Sequence, residues 1–81
     1  MRLDKYLKVS RLIKRRTVAN EACDAGRVLV NDKVARASYE VKVGDVITLN
    51  LGARELRVQV VTVQETVAKN DAALLYKICD G

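Results

Sequence analysis

The chain has 81 residues, a hydrophobic share of 49% and a net charge of +5, with no histidine. That length fits a single domain over residues 1 to 81, whose thin core must draw on most of the aliphatic side chains. Without histidine, imidazole acid–base catalysis and histidine metal ligands are excluded. The only serines, Ser10 and Ser38, stand in no nucleophile motif, so the chain is expected to have no catalytic site, metal or cofactor.

In residues 3 to 10, Leu3, Tyr6, Leu7 and Ser10 follow the i, i+3, i+4, i+7 spacing of one helix face. The wheel puts Asp4, Lys5 and Lys8 on the opposite side and Arg2 at the border. Residues 17 to 25 predict a second helix, with Val18, Ala19, Ala22, Cys23 and Ala25 as a small-residue face and Gly26 as its stop. After Gly26 the period changes to two. Val28 and Val30 alternate with Arg27 and Leu29, and Asn31-Asp32 is a turn signal.

Val41 and Val43 lead into a Gly44-Asp45 turn, and Val46 to Leu51 predict a strand rich in β-branched residues. Gly52-Ala53 would join it to a longer strand from about Glu55 to Val63. Residues 66 to 74 are ambiguous between loop and a helical turn around Asp71 to Leu74; Leu75 to Cys79 predict a last short strand. The fold class is α+β, two N-terminal helices packed on a small, mostly antiparallel sheet.

The charge is unevenly spread. Residues 1 to 16 hold Arg2, Lys5, Lys8, Arg11, Lys14, Arg15 and Arg16 against Asp4 alone, a local charge of +6; the remainder holds eight basic and nine acidic residues. Such a segment is either a solvated helix face or an anion-binding surface. Position favours the second. Arg15, Arg16 and the Thr17 hydroxyl fall at the start of the second helix, where unpaired N–H groups and the helix dipole attract phosphate. Cations there oppose the dipole at a cost of about 0.3–1 kcal/mol each unless an anion is present. Asp4 is expected to pair with an arginine of this junction and orient it. Asn31 and Lys33 are candidate contacts from the loop after the first strand, although Asn31-Asp32 is equally well explained as turn chemistry.

Four segments, Arg2 to Leu7, Ala19 within the second helix, Gly26 to Asn31 and Val41 to Ile47, resemble the alpha-L RNA-binding motif, the domain named after small-subunit ribosomal protein S-four. The resemblance covers residues 1 to 51 and leaves 52 to 81 as a C-terminal β extension. It implies an RNA surface formed by the first two helices and the following loop, with Arg2, Arg16 and neighbouring basic residues in contact. Arg15-Arg16-Thr17 stands where relatives often have Ser-Arg-Ser, with the central arginine kept. The whole chain, including Leu7 to Thr17, resembles the short bacterial ribosome-associated quality-control members of that family, related to heat-shock protein fifteen. That implies contacts to large-subunit ribosomal RNA and tRNA, on a large ribosomal subunit carrying a stranded peptidyl-tRNA, while a partner factor directs C-terminal alanine tailing.

With no Phe or Trp and three scattered tyrosines, recognition by RNA shape and phosphate geometry is expected rather than base stacking. Tyr6, on the Leu3 and Leu7 face, is expected in the core. Cys23 and Cys79 lack metal-site spacing and are expected as free, buried thiols. No stretch reaches the roughly 18 apolar residues of a membrane span, and no apolar signal stretch follows the basic start. A cytoplasmic monomer is expected. The competing functions are a protein-interaction module that binds an acidic partner, a general structured-RNA binder acting elsewhere on the ribosome, and a basic amphipathic membrane anchor, for which the apolar face is too small.

Overall fold

A computed structural model describes residues 1–50, 52–64 and 74–79. Two helices, α1 (Leu3–Val9) and α2 (Arg16–Asp24), precede five strands: β1 (Val28–Val30), β2 (Lys33–Val34), β3 (Val46–Asn50), β4 (Glu55–Val60) and β5 (Tyr76–Ile78). The strands form one sheet in the order β2-β1-β3-β4-β5, and every pairing is antiparallel. Alternation decides the inner face. Val28, Val30, Ile47, Leu49, Val58 and Val60 are buried against Leu3, Tyr6 and Leu7 of α1 and Ala19 and Cys23 of α2.

At seven residues α1 is too short to be stable alone. It is held by its surroundings: the Leu3 N–H donates to the Tyr39 carbonyl at 2.8 Å and the Asp4 N–H to that of Ala37 at 3.1 Å. These bonds satisfy helix-start donors that no side chain caps. From the same helix the buried Tyr6 hydroxyl donates to the Leu75 carbonyl at 2.7 Å. The C-terminal β strands therefore belong to the same packed unit as the helices.

The two helices end differently. α2 closes on Gly26 at φ 74°, with Gly26 N–H bonded to the Cys23 carbonyl and Arg27 N–H to that of Ala22, a Schellman arrangement. Beyond α1 the left-handed position is occupied by Arg11, at φ 61°, where glycine would be unstrained. β1 and β2 join through Asn31 and Asp32, both at positive φ, which makes the tight hairpin signalled by that dipeptide.

Several boundaries differ from expectation. A nine-residue helix buries one stripe, so Ala19 and Cys23 are enclosed and Ala22 partly so, whereas Val18 and Ala25 are exposed. β4 stops at Val60 because Val61 and Thr62 both donate their N–H to the Leu75 carbonyl, which takes the chain out of the ladder. β5 is three residues long rather than five. Of the ambiguous stretch 66–74, all but Leu74 lies outside the described residues, as does Leu51. Both cysteines are free; Cys23 is buried, but Cys79 is only half-buried and no core residue. Burial and the Asp4 and Asp24 carboxylates push the Cys23 thiol up to about 11, so it stays protonated at neutral pH.

Candidate nucleic-acid interface

Asp4 is the centre of the basic region, and the helical wheel misplaces it. Its side chain is 3% exposed, on the side of α1 that faces α2. Five donor contacts surround its carboxylate. The Lys5 N–H reaches Oδ1 at 2.8 Å. Arg2 approaches with Nε at 3.3 Å from Oδ1 and Nη2 at 3.4 Å from Oδ2. Arg16 Nε donates to Oδ2 at 3.3 Å, and Asn20 Nδ2 to the same oxygen at 3.4 Å.

Burial pushes the Asp4 carboxyl up, but the hydrogen bonds from Arg16, Asn20 and the Lys5 amide, with the Arg16 charge, outweigh it and hold the group below the ordinary 3.8. A carboxylate with a depressed folded value stabilises the fold above its unfolded value, and the contribution disappears as pH falls through the folded one. Asp4→Asn is accordingly expected to lower stability by about 1 kcal/mol at pH 7, a modest loss because both guanidinium groups stay half in water. Urea unfolding should show the gap between variant and parent shrinking below pH 4; an equal gap at pH 7 and pH 2 would refute this role.

The arginines face the other way. Arg2 and Arg16 side chains are 50% and 47% exposed, so each is tied at one edge to a buried anion and open to solvent at the other. Arg16 uses Nε for Asp4, which leaves its terminal nitrogens as a fixed fork of the kind that grips phosphate oxygens. Arg16 also opens α2, which has no side-chain cap and no acidic residue in its first turn. Exposed Arg15 and Thr17 flank it.

The other predicted residues fall into separate places. Lys8, Arg11 and Lys14, all exposed, line one concavity of about 410 Å³. The strained φ of Arg11 lies among these three cations. Lys5 is half-buried. Lys33 is exposed on β2, the edge strand of the sheet. Asn31 serves the turn: its amide donates to Asp45 Oδ1 at 3.2 Å and its Oδ1 accepts the Val46 N–H at 3.0 Å. Residue reasoning missed Asn20, although its place one turn after Arg16 on α2 was a usable signal.

A model of the S4 domain matches residues 1–47. The chain belongs to the S4-domain family. Relatives of this S4-domain chain include a protein named RQC P-site tRNA stabilizing factor from Halalkalibacterium halodurans, 51% identical over 78 residues that span 96% of this chain and 89% of that one. A protein of the same name from Bacillus subtilis is also 51% identical over 78 residues, 96% of this chain and 91% of its own. Among solved structures, Vibrio cholerae Heat Shock Protein 15, described as trimeric, superposes with a TM-score of 0.90 at 30% identity, covering 98% of this chain and 81% of that one. The shared fold thus extends beyond the segment matched by the S4-domain model, through β4 and β5.

Proposed function

We propose that this S4-domain chain is a non-catalytic, cytoplasmic RNA-binding protein of the ribosome. On this reading it binds the large subunit carrying a stranded peptidyl-tRNA and contacts both ribosomal RNA and the tRNA. The observation that carries it is the pair of half-exposed arginines, Arg2 and Arg16, oriented by one buried carboxylate. Fixing the donors before the ligand arrives reduces the ordering cost of binding. Arg15 and Thr17 extend the contact at the α2 start, while Lys8, Arg11 and Lys14 supply a further phosphate patch. The relatives named as P-site tRNA stabilizing factors support tRNA as a partner; on this reading the chain holds that tRNA while another factor performs C-terminal alanine tailing.

Cosedimentation of the full chain with purified subunits tests this directly. Binding is expected to large subunits, tighter when peptidyl-tRNA is present, and to be lost after nuclease treatment. Preference for small subunits would overturn the assignment, and binding to a partner protein that survives nuclease would favour an acidic protein ligand instead.

A further inference from the structure

Concave surface continues from the helices onto the sheet. The hollow that contains Asp4, Arg16 and Thr17 reaches Asn20. Asn20 also lines a second hollow, which extends from Arg2 to the 34–38 segment. A third, of about 590 Å³, opens between β2 and Tyr39, and Arg36 borders it as well as the second. Shared lining residues thus connect Arg16 to Arg36 in one track.

The third hollow has a different chemistry from the basic helices. Val34, 64% exposed, and half-buried Tyr39 give it an apolar and aromatic lining. Lys33 and Arg36 add two exposed cations, and among the described residues no carboxylate lines it. Its frame is fixed: Tyr39 Oη donates to Asp45 Oδ2 at 3.0 Å, the Asn31 amide holds the other oxygen of that carboxylate, and the Ala35 N–H donates to the Val28 carbonyl at 3.1 Å. A duplex backbone calls only for cations. An apolar and aromatic lining beside two cations suits a nucleotide, whose base stacks while its phosphate is neutralised.

We propose that this hollow is a second RNA contact that receives one unpaired nucleotide, its base against Val34 and Tyr39 and its phosphate on Lys33 and Arg36. The inference rests on the RNA-binding function proposed above and adds a class of target: RNA with a nucleotide unstacked next to the paired region gripped by Arg2 and Arg16.

Three RNA hairpins test it against the full chain: one with a single unpaired adenosine in the stem, one with an abasic residue at that position, and one fully paired. The parent chain is expected to bind the first about tenfold more tightly than the other two. Val34→Ser, at a position 64% exposed, should abolish the preference for the base. Arg36→Ala should weaken the adenosine hairpin about tenfold and leave the paired one unchanged. Equal binding of all three hairpins by the parent, with Arg16→Ala still weakening each, would overturn the hollow and leave the RNA reading intact. Failure to bind any hairpin would remove both.

Discussion

Replacing Arg2 and Arg16 together with alanine is expected to lower affinity for large-subunit RNA by at least about a hundredfold, since each charge-assisted contact contributes roughly 1.5–3 kcal/mol. The loss should be broad across RNA sequences, because phosphate contacts carry no base information. The slope of log affinity against log salt should fall by about one unit for each phosphate contact removed, about two in all. Lysine at either position is expected to recover only part of the affinity: it restores charge, but its ammonium lacks the planar fork that Asp4 orients. Filter binding over a salt series measures both quantities. An unchanged slope in the double variant would show that this surface does not neutralise phosphate.

Tyr6→Ala is expected to have the largest effect on stability, about 3–5 kcal/mol, in line with other large aromatic-to-alanine changes in cores. The ring is fully buried with Leu3 and Leu7, and its hydroxyl is the buried link to Leu75. A fold of this size has roughly 5–15 kcal/mol in all, so the variant would retain a small margin or none. Tyr6→Phe keeps the ring and loses only the hydroxyl bond, at about 1 kcal/mol. The Leu75 carbonyl keeps its bonds from Val61 and Thr62, which limits that loss. Denaturant titration separates the two variants; a loss below about 1 kcal/mol for Tyr6→Ala would contradict the packing described.

Periodic segments were legible because burial imposes the period. Leu3, Tyr6 and Leu7 marked α1, Val28 and Val30 marked β1, and Gly26 marked the end of α2. The 35–40 segment was not legible, although its burial alternates at a spacing of two: Ala35 and Ala37 are too small to announce a buried face, and the segment docks against other elements without forming a strand. Two-residue β2 is too short to have a period. Asp4 was placed outside for a related reason: a wheel drawn for one helix knows nothing of its neighbour, and the groups that make burial of this carboxylate tolerable include Arg16 and Asn20 on α2. Its pairing with an arginine could be anticipated from charge, its depth could not. Arg11 gave no signal at all, because arginine has no preference for the left-handed conformation it adopts.

The anchoring of α1 also sets the order of assembly. Its start rests on carbonyls of Ala37 and Tyr39, and Tyr6 on that of Leu75, 69 positions along the chain. Contacts this distant in sequence close late in folding, after their loop entropy has been met. The basic segment is therefore among the last to be positioned. Until the strand that follows Leu75 docks, its charges can attract RNA without presenting the fixed Arg2 and Arg16 geometry, so selective binding is a property of the finished fold.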